Sequence, residues 1–329
     1  YFRTNSRRII DYLSQFTQWH GVEYRIKSYT DGRYWSFPIN LATFEELIGQ
    51  SAIEEQFARW LEERRVPITN PKNSEEMILS RVGREFYEMF YQGYTRKFWR
   101  RDPRDLDASV CGRVPIRTNR DDRYLSEEFQ ALPKDGYTEM FKRMLDASPG
   151  VELQLDTDYR KLRGSVQFAR MIYTGPVDEY FDCRLGKLPY RSLRFEPESF
   201  TPEQLARDER GQIAGKPGFW QPAMQVNYPG SEPFTRIVEI KHATGQQCEN
   251  TTIVREYPAD DGPGQEPYYP IPAPDAMRLY REYEALAAAE KNVSFVGRLA
   301  TYRYYNMDQV VGMALTEFEK LKVLPPTSP

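Results

Sequence analysis

The chain has 329 residues, 40% of them hydrophobic and 14% aromatic, which is long enough to bury the cores of two or three globular domains. Its 45 basic and 48 acidic residues leave a net charge of −3, so no basic field exists for non-specific binding of nucleic acid. Three cysteines without paired spacing and the lack of a membrane-length apolar run indicate a cytoplasmic protein that has no membrane partner.

The N-terminal third is predicted to contain one helix, a β-hairpin and a helical domain. Thr4 or Asn5 can cap the first helix, because an apolar stripe with helical spacing follows them. The pair Asp31-Gly32 favours a two-residue turn between the strand-like segments VEYRIKSY and RYWSFPI. Capping-box spacing then occurs at three places, which are Thr43 with Glu46, Ser51 with Glu54 and Asn73 with Glu76. These caps predict helices from Thr43 to about Trp99.

Beyond Arg113 the pattern changes mostly to strands. The strand-like segments are VELQL, SVQFARMIY, YRSLRF, AMQVNYP, FTRIVEIKH and TTIVREYP, and turn-rich stretches between them favour antiparallel pairing. Helices are predicted at Gly136 to Ala147 and from about Ala273 to Lys291, and the second comes before the strand VSFVGRLA. A last helix is predicted from about Asn306 to Lys322. The segment Pro197 to Pro222 has weak periodicity, and we interpret it as a surface insertion.

The segment from Tyr94 to Tyr124 contains the residue types of a nucleotide-sugar site. It combines an aromatic helix end with two arginines, Arg113 and Arg117, on either side of Pro115. Guanidinium groups hold phosphate oxygens bidentately, and flat rings stack on bases and sugar faces. Each residue alone also has a structural interpretation, because aromatic residues in helical domains are more often core and surface arginines more often form ion pairs.

Several blocks of this sequence match one family in the same order. The matches are Phe37–Asn40, Tyr94-Thr95-x-Lys97-x-Trp99, Arg113–Arg117, Asp121-Asp122-x-Tyr124, Tyr173–Glu196, Arg255–Pro270 and Gly297–Ala314. The chain therefore resembles the UDP-galactopyranose mutases over nearly its whole length. This resemblance implies a mixed α/β fold with a remainder of a Rossmann-like FAD-binding domain, a small helical domain and an antiparallel sheet domain.

The resemblance also implies a division into four segments. Residues 1–40 would join the FAD-binding and sheet domains, and residues 41–106 would form the helical substrate domain. Residues 107–272 would form the sheet domain, with a helical excursion at 136–163, and residues 273–329 would complete the FAD-binding domain. The family carries Gly-x-Gly-x-x-Gly near its N-terminus, a pattern that none of the 20 glycines here fits. We therefore expect that segment to precede Tyr1, and activity without it to be doubtful.

The activity implied by the resemblance is an isomerisation. In the family, reduced FAD attacks the anomeric carbon of UDP-galactopyranose through N5, forms a covalent flavin-sugar adduct and returns UDP-galactofuranose. Such an enzyme would be a cytoplasmic homodimer that supplies cell-surface polysaccharide synthesis. Two alternatives stay open: a related flavoenzyme that acts on another nucleotide sugar, and a truncated chain that binds a nucleotide sugar without catalysis.

Site residues follow from the same resemblance, position by position. Arg113 and Arg236 are implied to grip the diphosphate and to support catalysis, whereas Arg117 is left structural and Asp121-Asp122 is taken as a turn. The other implied substrate contacts are Asn40, Phe90, Tyr91, Trp99, Tyr124, Arg191, Glu256, Tyr269 and Tyr304. The implied cofactor contacts are Arg298, Asn306, Met307 and Asp308. No metal site is predicted, since His20 and His242 lack the spacing of metal ligands.

Two positions depart from the family pattern. Asn306 stands where the family usually has Asp, and Arg3 stands where many relatives have His. Both family positions lie near the flavin, so these departures imply a different local charge and a possible difference in sugar preference.

Overall fold

The structure is a computed structural model that describes residues 1–213, 215–262 and 264–322. The elements of the first half are β1 (Phe2–Thr4), α1 (Arg7–Leu13), β2 (Trp19–Gly21), β3 (Ile26–Thr30), β4 (Arg33–Phe37), α2 (Leu41–Ile48), α3 (Glu54–Arg64), α4 (Ser74–Phe86), a π-helix (Tyr87–Gln92), α5 (Gly93–Trp99), a 3-10 helix (Pro103–Asp105), α6 (Ser109–Gly112), β5 (Phe129–Pro133) and α7 (Gly136–Asp146). Those of the second half are α8 (Tyr159–Leu162), β6 (Met171–Tyr173), α9 (Val177–Tyr180), β7 (Tyr190–Phe200), α10 (Pro202–Arg207), α11 (Glu209–Ile213), β8 (Gln225–Asn227), β9 (Arg236–Glu239), α12 (Lys241–Thr244), β10 (Thr251–Asp260), β11 (Tyr269–Pro270), α13 (Pro274–Ala289), β12 (Val293–Phe295) and α14 (Met307–Lys322).

The chain divides into two compact units. The first unit contains residues 1–21, 127–188 and 275–329, and the second contains residues 22–126 and 189–274. The predicted boundaries after residues 40, 106 and 272 stay a prediction, and residues 323–329 of the predicted last segment lie outside the described residues. Among the helices of the described ranges, none has the length and apolar character needed to cross a membrane. The mixed α/β class predicted from the sequence is confirmed.

The first unit has two small sheets. Strands β1, β5 and β2 pair antiparallel in that order, and β6 pairs parallel with β12. The predicted helix caps Thr4 and Asn5 are wrong, because α1 begins after Ser6 and Thr4 belongs to β1. The Thr4 hydroxyl instead accepts a hydrogen bond from the Ser6 amide at 3.1 Å.

The segment VELQL was also predicted wrongly, because residues 151–155 form no strand. Its alternating apolar residues Val151, Leu153 and Leu155 are all exposed. An alternating pattern produces a strand only where a neighbouring strand takes its backbone hydrogen bonds. In the described part of the chain, no strand lies beside this segment.

The second unit is built on a sheet of seven strands in the order β11-β7-β10-β9-β8-β3-β4. All of its pairs are antiparallel except β3 with β8, so the predicted antiparallel character is largely confirmed. The predicted hairpin is present as β3 and β4. Asp31 and Gly32 have φ values of 53° and 75°, the left-handed conformation that this kind of two-residue turn requires.

Helices α2 to α4 and the π-helix pack on one side of the hairpin and share its apolar core. Phe44, Phe57 and Phe86 are buried there beside Trp35 of β4. The aromatic rings of Phe44 and Phe57 stack with their centroids 4.9 Å apart. The π-helix continues directly into α5, so this core also fixes the start of the helix that contributes Tyr94 and Phe98 to the candidate site.

Of the three caps predicted from capping-box spacing, two are wrong. Asn40, rather than Thr43, caps α2, and its side-chain oxygen accepts from the Ala42 amide at 2.7 Å. Thr43 is the third residue of that helix, and its hydroxyl accepts from the Asn40 amide. Helix α3 begins after Ile53 rather than after Ser51. The Asn73 cap of α4 is confirmed by a 2.9 Å bond from the Glu76 amide.

The segment from Pro197 to Pro222 is more than a surface insertion. Helix α10 and the residues after α11 place Leu205 and Trp220 in a buried cluster with Val226 and Ile237 of the sheet. Glu239 of β9 ties the segment down, since its buried carboxylate accepts from the amides of Trp220 and Gln221 at 2.9 and 3.0 Å. The segment therefore covers one face of the sheet, although residue 214 within it lies outside the described residues.

The buried carboxylate of Glu239 predicts a pH-dependent stability. Burial works to raise its pKa, but the bonds from His242, Thr251 and the two backbone amides outweigh burial and lower it. A carboxyl whose pKa is lower in the folded state stabilises the fold at neutral pH and loses that effect below about pH 4. We expect Glu239→Gln to be less stable than the wild type at pH 7, with the gap narrowing on acidification.

Denaturant unfolding at several pH values between 7 and 3.5 measures this gap. Glu249→Gln is the matched control, because Glu249 is an exposed carboxylate in the same unit and its loss should change little. A gap between the wild type and Glu239→Gln that stays constant over this range would contradict the assignment.

Candidate functional site

An ion pair on neighbouring strands lies at the centre of the candidate site in the second unit. Arg236 of β9 is directly opposite Glu256 of β10, and the Arg236 Nε atom is 2.5 Å from the Glu256 carboxylate. The side chains are 20% and 10% exposed. The two Nη groups of Arg236 make no hydrogen bond to the described part of the chain. They present the parallel donors with which arginine binds phosphate oxygens.

Aromatic side chains surround this arginine. The ring of Phe98 lies 5.7 Å from the guanidinium carbon of Arg236. Burial works to lower the pKa of Arg236, but the Glu256 carboxylate and the nearby hydroxyls of Tyr94, Tyr269 and Tyr24 hold that pKa well above its ordinary value. The group is therefore a permanent cation. A site with one fixed positive charge, several hydroxyls and a flat ring fits a phosphorylated ligand that also has a sugar or a base.

Tyr24 connects this cluster to Tyr124. The ring centroids of the two tyrosines are 5.7 Å apart, and the Tyr124 amide donates to the Tyr24 carbonyl at 2.9 Å. The Tyr24 hydroxyl donates a short hydrogen bond to the side-chain oxygen of Gln225. The structure thus brings Arg236, Glu256 and Tyr269 together, and Tyr124 lies one ring away from them. These are four of the predicted substrate residues.

The sequence did not identify three members of this cluster. Tyr94 and Phe98 lie inside the quoted helix-end motif, so its aromatic spacing could have indicated them. Tyr24 lies in no matched motif. It stands two residues before β3, and the order β9-β8-β3 in the sheet brings it close to the arginine.

Arg191 is buried, with 2% of its surface exposed, and its bonds connect β7 to the end of α5. Its Nε atom donates to the Phe98 carbonyl at 3.0 Å, and Nη1 donates to Asp260 at 2.5 Å. The other nitrogen, Nη2, is buried without a hydrogen-bond partner among the described residues. Burial lowers the pKa of this guanidinium, an effect that Asp260 opposes. Arg191 therefore anchors the helix that contributes Phe98, and its predicted contact with substrate stays a prediction.

Arg113 is an exposed residue directly after α6, and its backbone is held on both sides. The Arg81 Nη1 atom donates to the carbonyls of Gly112 and Val114 at 2.9 and 3.1 Å. The flanking peptides are therefore fixed although the Arg113 side chain lies at the surface. Arg117, which is not assigned to the substrate, donates to the Arg123 carbonyl at 2.6 Å and pairs with Asp121.

Four other predicted substrate residues lie in the interior of the second unit. Phe90 is 3% exposed and packs against the rings of Trp35, Phe37 and Phe86. Tyr91 is also buried, which raises the pKa of its hydroxyl, and the hydroxyl has no hydrogen-bond partner among the described residues. Trp99 packs on Phe98, and Asn40 is engaged as the cap of α2. For these residues the packing supplies a structural role, and the substrate contacts stay predictions.

The first unit contains a cavity of about 990 Å³. Three of the four predicted cofactor residues line it: Arg298 lies in the segment after β12, and Asn306 and Met307 lie at the start of α14. The rest of the lining is mostly apolar and comes chiefly from α1, α7 and α14, with further residues from β1, β6 and the segment after β12. Asp308 follows in the helix and does not line the cavity, and Tyr304 lies in the loop before α14.

The size and lining of this cavity are suited to a flat heteroaromatic cofactor. Cofactor sites are typically about 300–1,000 Å³, mainly apolar, with a few polar groups that fix orientation. Arg298 donates to the Tyr305 carbonyl at 3.3 Å, which fixes the loop that forms one wall. The residues present therefore fit the ring portion of a flavin.

The similar proteins found by sequence are pyranose mutases that act on nucleotide sugars. The sequence profile of the family described as UDP-galactopyranose mutase matches residues 89–304. A probable UDP-galactopyranose mutase of Klebsiella pneumoniae is 33% identical over 317 residues, which cover 95% of this chain and 78% of the relative. A dTDP-fucopyranose mutase of Escherichia coli is 29% identical over 323 residues, which cover 95% of this chain and 81% of the relative.

Solved structures give the same fold. The crystal structure of a reduced UDP-galactopyranose mutase matches with a TM-score of 0.68 and 15% identity, over 99% of this chain and 84% of the other. A putative protoporphyrinogen oxidase from Exiguobacterium matches less well, with a TM-score of 0.56 and 11% identity, over 98% of this chain and 87% of the other.

Proposed function

Because this chain belongs to the UDP-galactopyranose mutase family, a family of isomerases, we propose that it interconverts UDP-galactopyranose and UDP-galactofuranose. The observation that carries this proposal is the cluster around Arg236 in the second unit. A permanent cation, whose two Nη groups make no hydrogen bond to the described residues, lies among three tyrosines and a phenylalanine. This arrangement suits the diphosphate of a nucleotide sugar better than it suits a free sugar or a neutral ligand.

The protein's own part in the reaction is to hold the nucleotide. Arg236, whose orientation is set by its bond to Glu256, would bind the diphosphate through its Nη groups. Arg113 would add a second guanidinium from the segment after α6. The negative charge on the nucleotide grows as its bond to the sugar breaks, so these cations would stabilise departure and keep UDP close enough to return. The hydroxyls of Tyr124 and Tyr269 would fix its orientation.

We propose FAD, in its reduced form, as the cofactor. When bound, a reduced flavin supplies the nucleophile that displaces the nucleotide from the anomeric carbon, with no net change in oxidation state. Arg298, Asn306 and Met307 would hold its ring in the cavity of the first unit. The apolar lining would exclude water there, which protects the sugar from hydrolysis.

The second candidate is the same reaction on a thymidine-linked sugar, and the similarity to a dTDP-fucopyranose mutase is the observation that favours it.

We also propose a cytoplasmic homodimer that supplies furanose units for cell-surface polysaccharide.

The test is a substrate panel with the flavin-loaded, reduced protein. We expect conversion of UDP-galactopyranose to its furanose, measured by chromatography at equilibrium. Slower conversion is expected for dTDP-fucopyranose. A faster rate with dTDP-fucopyranose would transfer the proposal to the second candidate. If neither sugar is converted by protein that shows flavin absorbance, the proposed activity on these two sugars is wrong, and UDP binding by that protein would then favour the non-catalytic alternative.

A further inference from the structure

We propose that Lys97 is a positioning residue, which sets the Arg236 guanidinium for diphosphate binding by clamping the loop in front of β9. The inference rests on the proposed function, because it concerns the same arginine. Lys97 itself is not expected to contact substrate.

The ammonium group of Lys97 lies in a cage of three backbone carbonyls. Its Nζ atom is 2.7 Å from the Tyr228 oxygen, 2.7 Å from the Glu232 oxygen and 3.0 Å from the Phe234 oxygen. An ammonium has three N–H donors and no acceptor, so one donor is available for each carbonyl. A lysine that only covered a surface would not use all of its donors on one loop.

The caged loop leads directly into the site. Residues 228–235 connect β8 to β9, and Arg236 is the next residue. Thr235 at the end of the loop donates its amide to the Glu256 carbonyl at 2.9 Å, and its carbonyl accepts from the Tyr228 amide. The loop is therefore tied both to the strand of Arg236 and to the strand of its partner Glu256.

The helix that carries Lys97 also carries the aromatic residues around Arg236. Tyr94 and Phe98 of α5 lie near the guanidinium. Gly93 allows the helix to approach, because a Cβ atom there would lie 2.1 Å from the Pro229 carbonyl oxygen. The Lys97 cage therefore fixes the distance between the aromatic face of α5 and the arginine of β9.

The charge on Lys97 is present at neutral pH. Burial lowers its pKa to about 8, and the Glu232 carboxylate opposes this effect. The cage is therefore occupied mainly by the ammonium form at pH 7, which makes each of its bonds charge-assisted.

A second lysine provides a matched control for a purely structural role. Lys241 of α12 is buried, and its Nζ atom donates to the Gly218 and Asn250 carbonyls at 3.0 and 3.2 Å. It belongs to the same unit but holds the segment that contributes Trp220 to the buried cluster on the sheet, and its Nζ atom lies 5.1 Å from the centre of the Phe219 ring. Loss of Lys241 should therefore lower stability without changing the diphosphate site.

The experiment is a double-mutant cycle on UDP affinity in the flavin-loaded protein. We expect Lys97→Met to weaken UDP binding about tenfold and to lower kcat as well as raise KM, because the arginine that stabilises departing UDP becomes misplaced. In the Arg236→Ala background the same change should weaken binding less than about twofold. Lys241→Met should lower the thermal midpoint about as much as Lys97→Met does, but it should bind UDP like the wild type. Lys97→Gln, which keeps two donors, replaces Lys97→Met if the methionine variant does not fold.

Three results would overturn the inference. The first is wild-type UDP affinity in the Lys97 variant, and the second is an equal loss from Lys97→Met with and without Arg236. The third is wild-type UDP affinity in Arg236→Ala, which alone would also remove the diphosphate assignment from the proposed function. In the first two results, Arg236→Ala still loses affinity, so the proposed function survives and only the role of Lys97 fails.

Discussion

Arg236→Ala should weaken UDP binding roughly tenfold or more, because each charge-assisted hydrogen bond to a phosphate contributes about 1.5–3 kcal/mol. The loss should exceed that of Arg113→Ala. Removing Arg236 also leaves Glu256, which is 8% exposed, as an unpaired carboxylate facing an anionic ligand. Arg113 is exposed, so screening by solvent and salt reduces its contribution. Titration of UDP into the flavin-loaded variants measures both effects.

Turnover should fall together with affinity in both variants. The two arginines stabilise the nucleotide most as its bond to the sugar breaks, and an interaction that strengthens in the transition state changes kcat as well as KM. The flavin content should not change, because neither side chain belongs to the cavity of the first unit.

Arg117→Ala is the control for this prediction. Its guanidinium is engaged by the Arg123 carbonyl and by Asp121, so its loss should leave UDP affinity within about twofold of the wild type. Unchanged affinity and turnover in Arg236→Ala would contradict the assignment of Arg236 to the diphosphate, and the same result in Arg113→Ala would contradict the assignment of Arg113.

Local sequence signals predicted the parts of the fold that are set locally. The turn at Asp31-Gly32 is one, because its residues are among the few that adopt left-handed backbone without strain. The caps show where such signals fail. Asn40 and Thr43 both have side chains that can cap a helix. Asn40 is the cap because its backbone is extended at the end of the hairpin, so the helix begins at the next residue. A spacing rule does not contain that information.

Contacts between residues distant in the sequence determine the parts of the site that the sequence alone did not predict. Arg236 lies opposite Glu256 because of the register between β9 and β10, and the residue pattern of one strand alone does not specify that register. Arg81 and Lys97 act through backbone carbonyls that are 31 to 137 residues away in the chain. The family resemblance supplied Arg236 and Glu256 as members of a site, whereas the groups that hold them are visible only in the structure.

Phe90→Ala should destabilise the second unit by roughly 3–5 kcal/mol, the usual cost of truncating a buried phenylalanine. Phe90 was expected from the resemblance to border the ligand, and its ring contacts Trp35, Phe37 and Phe86 at centroid distances of 5.8 Å each. Truncation would therefore leave a cavity between the π-helix and the hairpin. Denaturant unfolding measures the cost, and Phe195→Ala, at a phenylalanine 42% exposed on β7, should lose much less.

A second variant, Phe90→Leu, separates the structural role of the ring from a role in stacking on the nucleotide. If Phe90 acts mainly as core, Phe90→Leu should recover most of the stability, because leucine refills much of the volume, and UDP affinity should stay near that of the wild type. If the ring also stacks on the nucleotide, leucine should restore stability but not affinity, since stacking requires a flat face. A Phe90→Ala variant as stable as the wild type would contradict the packing itself.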